Sequence, residues 1–196
     1  MASKIKIYNL SLGHLGMQKI FSTDTEDPRM KACLLYYPEA LEDTYAEYAW
    51  GFANVIEKFA IVSATVVGWN YVYAYPPKAA RVHNVYSEAN FEYKEEQNFD
   101  KVFLPSQNKT VIVSNEAEAY QEYTYMVEDT TIFSPKFVIA LSFKLAALMA
   151  QTLTTDPNIA GAMQQNAMGI IDEAKRLDAK EKPKTTKQSN KIVLSR

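Results

Sequence analysis

The 196-residue sequence predicts an α+β fold, in which a helical bundle of about four helices is assembled from both chain ends around an inserted antiparallel β-meander. Helical periodicity occurs towards the two ends, whereas aromatic residues recur with a period of two in the middle, from Trp69 to Tyr75. A composition of 47% hydrophobic and 22% charged residues is typical of a globular protein and argues against a disordered or collagen-like chain.

A capping side chain followed by proline marks three helix starts, at Asp27-Pro28, Ser134-Pro135 and Asp156-Pro157. The side-chain oxygen can accept an unpaired backbone N–H, and proline has no N–H to lose at the first helical position. The predicted long helices cover residues 28–50, 135–152 and 157–179, and a shorter helix covers residues 4–15. Pro38 removes one backbone hydrogen bond, so we expect it to kink the first long helix.

The buried face of each helix is predicted from apolar residues three and four positions apart. In the first long helix this face comprises Met30, Leu34, Tyr37, Leu41, Tyr45 and Tyr48. Cys33 precedes Leu34 on the same helix, so we expect it to be a small buried hydrophobic side chain. It is the only cysteine, which excludes an intrachain disulfide.

Strands are predicted for the middle of the chain, where polar breaks such as residues 106–109 separate short alternating runs. The predicted strands cover residues 69–75, 81–86, 91–97, 101–104, 110–114 and 120–128. The chain is therefore divided into N-terminal bundle helices (1–58), a β-rich insertion (59–130), C-terminal bundle helices (131–180) and a basic tail (181–196).

The net charge of −2 conceals an uneven distribution of charge. Residues 1–179 hold 15 basic and 22 acidic side chains, whereas residues 180–196 hold six basic and one acidic. The tail could contact nucleic acid, could only aid solvation, or could dock on a partner. The three consecutive apolar residues Ile192-Val193-Leu194 favour docking, because a purely electrostatic tail does not need them. The candidate docking residues are Lys182, Lys184, Lys187, Lys191, Ile192, Val193, Leu194 and Arg196.

The aromatic run at the centre of the chain has two interpretations. Trp69, Tyr71, Tyr73 and Tyr75 are spaced like a base-stacking platform, but such platforms lie in basic grooves and residues 60–80 contain a single cation, Lys78. Sheet packing or a protein interface is the favoured interpretation. These four residues are therefore candidate interface residues.

No catalytic, metal or cofactor site is predicted from the residue patterns. His14 and His83 lack patterned acidic or cysteine neighbours, and Gly13 and Gly16 lack the residues of a phosphate loop. A solvated surface is the favoured interpretation of the acidic residues Glu116, Glu118, Glu122, Glu128 and Asp129, although carboxylate pairs can hydrolyse glycosides. We also expect no signal peptide or membrane span, because Lys144 interrupts the longest apolar run.

Short motifs spread over residues 5–180 lie in an order that resembles one family of viral proteins. The motifs are Tyr8–Gly16, Ala32–Ala40, Ala49–Ala53, Gly68–Pro76, Arg81-Val82, Phe103–Pro105, Phe133–Phe137, Leu145-Ala146, Leu153-Thr154 and Ala174–Ala179. The chain resembles the head-to-tail adaptors of short-tailed bacteriophages, known as tail tubular protein A, and the related packaged-DNA stabilisation (head completion) proteins. It departs from them at Pro77-Lys78, where an aspartate is familiar, and at Gly51, where the motif has asparagine or serine.

The resemblance implies a structural virion protein rather than an enzyme. Such a protein forms a homo-oligomeric, twelvefold ring beneath the portal protein, continues the DNA channel and forms the platform for a tail nozzle protein of the tail tubular protein B type. It would be assembled in the host cytoplasm and touch passing DNA transiently and without specificity, and its C-terminal tail would reach along the portal. The alternatives are an adaptor with added peptidoglycan-hydrolase activity, as associated with some related head completion proteins, and a nucleic-acid-binding module.

Overall fold

The computed structural model describes residues 3–21, 26–88, 95–154 and 156–181, and confirms the α+β class. Its helices are α1 (Lys4–His14), α2 (Pro28–Glu47), α3 (Pro135–Leu153) and α4 (Pro157–Glu181). Its strands are β1 (Asn54–Lys58), β2 (Tyr71–Ala74), β3 (Ala79–Ser87), β4 (Phe99–Leu104), β5 (Lys109–Ser114) and β6 (Ala119–Tyr125). Short 3₁₀ turns at Gly51–Ala53 and Thr130–Ile132 adjoin the strand-rich insertion.

The three predicted helix starts are confirmed by their capping hydrogen bonds. Asp27 accepts from the backbone N–H of Arg29 at 2.8 Å, and Ser134 accepts from that of Phe137 at 3.3 Å. Asp156 likewise accepts from the N–H of Asn158 at 2.8 Å. These side chains satisfy N–H groups that have no partner within the first helical turn.

The glycine pair of the N-terminal motif ends α1 instead of forming a phosphate loop. Gly16 adopts a positive φ of 71°, which costs glycine little because it has no Cβ. The N–H of Met17 then donates to the carbonyl of Leu12, and the N–H of Gly16 donates to that of Gly13. This pairing of the last helical carbonyls is typical of a helix C-terminus.

Helix α3 lies at the centre of the bundle and packs against the other three helices. Its inner residues include the fully buried Phe137, Leu141, Leu145 and Met149. Around Phe137, ring centroids lie 4.6 Å away in Tyr45, 4.8 Å in Phe133, 5.0 Å in Trp50 and 5.1 Å in Phe52. Residues from both chain ends thus share one core, which confirms the bundle predicted from the sequence.

The prediction for α2 was right for most positions and wrong for Leu34. Met30, Tyr37 and Tyr45 are buried, and Cys33 is fully buried as predicted. Leu34 is about half exposed, because the inward face of α2 is centred on Cys33, Tyr37, Ala40 and Thr44. The helix continues through Pro38 and ends at Glu47, so Trp50 packs from outside the helix.

The β-rich insertion consists of two three-stranded antiparallel sheets, in the orders β1-β6-β3 and β2-β5-β4. The antiparallel pairing agrees with the prediction, but the meander order does not, because β4 and β5 are the only described strands that are both consecutive and paired. Strand β1 lies within residues assigned to helices, and residues 95–97 form only an isolated bridge through Glu96. The remainder of the strand predicted at 91–97 lies outside the described residues.

The two sheets share a hydrophobic cluster, which buries one face of each sheet. Tyr73 and Ile112 from the second sheet pack with Val82, Val85 and Tyr123 from the first. On its other face, the second sheet is covered by the segment between β1 and β2. Strands that are distant in sequence are therefore joined through a common core.

Candidate interaction surfaces

The four aromatic residues of the predicted interface do not form one exposed stripe. Tyr73 is fully buried and stacks on Phe59 at a centroid distance of 4.7 Å, and its hydroxyl donates to the carbonyl of Glu116. Trp69 is partly buried against the second sheet, outside β2. Tyr73 therefore serves sheet packing, and a partner contact stays a prediction for Trp69, Tyr71 and Tyr75.

Tyr71 and Tyr75 keep part of their surface accessible on the Tyr73 side of β2. The ammonium of Lys101 lies 4.4 Å from the ring centroid of Tyr75, within the range of a cation–π contact. Lys101 belongs to β4, where Phe103 is also exposed. The accessible aromatic surface thus continues from β2 to β4, at the opposite edge of the same sheet.

Large apolar side chains are exposed on the insertion outside the predicted stripe. Val67 is 97% exposed at a turn, Ile61 is 67% exposed beside β2, and Phe103 is 56% exposed on β4. Ile61 and Phe103 lie at opposite edges of the second sheet, since β2 and β4 are its outer strands. The insertion therefore offers apolar contacts at more than one edge.

The helical bundle carries a separate set of exposed apolar side chains. Leu35 is 68% exposed, and its neighbour Leu34 is about half exposed on the same helix. Further exposed members of this set are Phe21, Ile132, Met168 and Leu177. Single exposed apolar residues are ordinary on a protein surface, and Leu34 and Leu35 are the members of this set that are adjacent in sequence.

A groove of about 310 Å³ lies between α1, the start of α3 and the 3₁₀ turn that precedes α3. Its apolar lining comes from Leu10, Phe133, Pro135, Val138 and Ile139. Lys6 and Thr131 contribute its polar atoms. We refer to this feature as the α1–α3 groove.

All eight candidate docking residues of the tail, from Lys182 to Arg196, lie outside the described residues. The last described residue before them is Glu181, at the end of α4. An ion pair of 2.6 Å between Lys136 and Glu173 joins the start of α3 to the later part of α4. Helix α4 therefore ends at the same end of the bundle as the α1–α3 groove.

A buried carboxylate on β6 corrects the prediction of a uniformly solvated acidic surface. Glu122 is 8% exposed and accepts hydrogen bonds from the Asn54 and Asn84 amides at 2.8 and 2.9 Å, and from the Tyr86 hydroxyl. Burial and the neighbouring Glu122 carboxylate raise the pKa of Tyr86, so its hydroxyl stays a donor. This cluster joins the three strands of the first sheet.

The other acidic residues of that group lie nearer the surface. Glu118, Glu128 and Asp129 are exposed, and Glu116 is partly buried. Glu118 and Glu128 form surface ion pairs with Lys58 and Lys78 at 2.9 and 3.0 Å. A hydrogen bond with Glu88, together with the Lys58 contact, lowers the pKa of Glu118, and the Lys78 contact lowers the pKa of Glu128. Their positions agree with the predicted solvated surface.

Helix α3 is long and apolar enough to span a membrane by length and composition. More than half of it is buried within the bundle, however, and Lys144 lies near its middle with 2% of its side chain exposed. The Lys144 ammonium pairs with Asp43 and, at 3.0 Å, with Glu47 on α2. A buried, paired lysine is typical of a core helix, because leaving it unpaired would be costly.

His14 packs against α3 and should make stability depend on pH. Its Nε2 lies 3.0 Å from the Ser142 hydroxyl, its ring stacks on Phe143, and burial lowers its pKa below 6.5. Below about pH 6.5 the unfolded chain binds the proton more readily than the folded chain, so stability falls as pH falls. We expect a larger drop in the urea midpoint between about pH 7 and about pH 5 for wild type than for His14→Gln. Equal drops would contradict this role.

Cys33 should be unreactive in the folded protein. Its side chain is fully buried, and burial raises the pKa of its thiol to about 12. Because the thiolate is the reactive form, we expect a disulfide reagent to modify it only after the protein is unfolded. Titration with Ellman's reagent at about pH 8, with and without denaturant, measures this. Fast modification of the native protein would show that α2 separates readily from α3.

His83 lies in the β-rich insertion, with its Nε2 2.7 Å from the Thr124 hydroxyl. Among the residues that the structure describes, no group of three or more histidine, cysteine, aspartate or glutamate residues is arranged to hold a metal ion.

Neither a family model nor a curated protein matches the chain in sequence comparisons.

Proposed function

We propose that this protein is the head-to-tail adaptor of a short-tailed bacteriophage. In this proposal, twelve copies form a ring beneath the portal protein, continue the DNA channel and present a platform for the nozzle protein. The resemblance of residues 5–180 to the tail tubular protein A family supports the ring and its partners. The activity is structural, and no cofactor is required.

The supporting structural observation is that apolar side chains are exposed on two separate parts of the fold. In a cyclic ring each copy contacts two neighbours through two different surfaces. The insertion exposes Val67 and Phe103, and the bundle exposes Leu34 and Leu35. An insertion packed against the bundle of the next copy would cover both sets.

The charge distribution supports passage of DNA without tight binding. Residues 1–179 hold seven more acidic than basic side chains, 22 against 15. Such a surface weakens the attraction of phosphates that gives non-specific DNA binding. If the chain were instead a nucleic-acid-binding module, its affinity for duplex DNA would fall steeply with salt. Electrophoretic mobility shifts at several salt concentrations distinguish the two functions.

The decisive experiment is light scattering coupled to size-exclusion chromatography, with the adaptor alone and with the portal of the same phage. The proposal expects a complex of one portal ring with twelve adaptors. Absence of co-elution at concentrations well above those in an infected cell would contradict it. A deletion of residues 183–196 tests the tail separately, and the adaptor proposal expects weaker attachment with an unchanged circular dichroism spectrum.

Phe103→Asp is predicted to reduce ring formation on the portal. The substitution places a charge on an exposed apolar side chain that the proposed contact would bury, while the folded monomer loses little packing. The matched control is Ser106→Asp, which adds the same charge at a nearby exposed turn. Sedimentation should show fewer bound copies for Phe103→Asp only. Equal binding by both variants would exclude Phe103 from the contact.

A further inference from the structure

The α1–α3 groove is an apolar surface that the folded part of the chain leaves open. Leu10 forms one wall, and Val138 and Ile139 form the other. The carboxylate of Asp129 lies at its edge, where it accepts from the hydroxyl of Thr131 at 2.7 Å. The groove thus combines an apolar floor with Lys6 in its lining and the Asp129 carboxylate at its edge.

The end of α4 lies close to this groove. Helices α3 and α4 are antiparallel neighbours joined by a short connection, and Glu173 pairs with Lys136 at the first turn of α3. From Glu173 the helix continues to Glu181, which at 1.5 Å per residue is about 12 Å. Pro135, in the same turn as Lys136, lines the groove. The return path from Glu181 therefore has a component of about 12 Å along the helix, roughly two helical turns, and a component of about 10 Å across it, roughly one helix diameter.

The sequence beyond Glu181 has the length needed for that return. Ile192 follows Glu181 by eleven residues, which reach about 36 Å when fully extended. As a random chain, the same stretch has a mean end-to-end distance of about 17–20 Å. The required distance is about 16 Å from the two perpendicular components, so the apolar triplet can reach the groove without a stretched chain.

We propose that the α1–α3 groove binds the Ile192-Val193-Leu194 segment of the same chain. Three consecutive apolar residues match a small apolar groove, and the flanking Lys191 and Arg196 can pair with Asp129. Because the segment is tethered, its effective concentration at the groove is in the millimolar range, so weak contacts suffice. The proposal does not depend on ring formation. In an adaptor, however, the portal would have to displace the segment from the groove before binding it.

The experiment uses the full-length chain with a nitroxide label on a thiol introduced by Ser195→Cys. Cys33 is buried and stays unlabelled. Proton–carbon correlation spectra then report paramagnetic broadening at the methyl groups of Leu10, Val138 and Ile139. The proposal expects strong loss of these signals relative to the reduced label, unchanged on tenfold dilution.

Two tail variants provide the matched comparison. The substitutions Ile192→Asp, Val193→Asp and Leu194→Asp, combined in one chain, should restore the groove signals. The substitutions Thr185→Asp, Thr186→Asp and Ser189→Asp add the same charge elsewhere in the tail and should leave the broadening in place. Neither set alters a described residue.

Three results would overturn the proposal. They are absence of broadening at the groove, broadening that the apolar-to-aspartate variant retains, and broadening that disappears on dilution. The last would assign the groove to the tail of a second copy. Binding to the portal is measured in a separate experiment, so either proposal can fail without changing the result that is expected for the other.

Discussion

Phe137→Ala is expected to lower the free energy of unfolding by about 3–5 kcal/mol. The Phe137 ring is fully buried and contacts the rings of Tyr45, Trp50, Phe52 and Phe133. Alanine removes the apolar surface of the ring and leaves a cavity that four neighbouring aromatic side chains cannot fill without moving. Urea unfolding followed by tryptophan fluorescence measures the change, since Trp50 reports on this cluster directly.

The matched control is Phe21→Ala, because the Phe21 side chain is 93% exposed. We expect this variant to lie within about 0.5 kcal/mol of wild type. A small and equal effect of both substitutions would mean that the aromatic cluster does not hold the bundle together.

Glu122→Ala is expected to destabilise the protein by about 2–4 kcal/mol, although glutamate is usually a surface residue. The substitution would leave the donors of Asn54, Asn84 and Tyr86 without the carboxylate that they share. A buried hydrogen-bond donor that loses its acceptor still bears the cost of leaving water, but it no longer makes the hydrogen bond that offsets this cost. Thermal and urea unfolding should both show the loss.

The control for this position is Glu118→Ala, which removes a carboxylate from the same sheet region but from a solvent-exposed ion pair with Lys58. Exposed ion pairs contribute about 0–1 kcal/mol, so this variant should remain close to wild type. Glu122→Gln keeps the shape and one acceptor, and should fall between the two. Equal effects at Glu118 and Glu122 would contradict the structural role of the buried cluster.

The helices were predictable because their signals are local. Ser134 and Pro135 specify a helix start through the hydrogen bond and dihedral angle of two adjacent residues, and the structure places α3 from Pro135. Leu34 was assigned to the core because periodicity defines a face only to within about one residue position. The smaller Cys33 lies at the centre of that face instead.

The sheet order was not predictable, because strand pairing joins residues that are distant in sequence. Asn54 pairs with Thr124 in β1 and β6, and no pattern near either residue indicates the other. The segment of β1 also lacks a clear alternation of polar and apolar residues. By contrast, β4 and β5 are joined by a polar turn, and this hairpin follows the sequence signal.

In the candidate surfaces, too, the features that depend on contacts between distant residues were not predictable from the sequence. The buried position of Tyr73 depends on Phe59 and on the other sheet, which spacing within β2 does not reveal. Glu122 and Thr124 alternate with tyrosines along β6, which indicates a polar strand face. Such a face is normally exposed to solvent, so the pattern did not indicate that Glu122 is buried. The α1–α3 groove requires two helices from opposite chain ends, so no single segment indicates it.

The pairing of β1 with β6 has a consequence for the order of folding. These strands begin and end the insertion, so their contact brings together the two points at which the chain leaves and re-enters the bundle. Once β1 and β6 are paired, the loop that must close to bring α1 and α2 onto α3 is short and no longer includes the whole insertion. The entropic cost of closing this loop is therefore lower. A chain in which this strand pair forms early would assemble its helices faster, even though neither strand is part of the helical core.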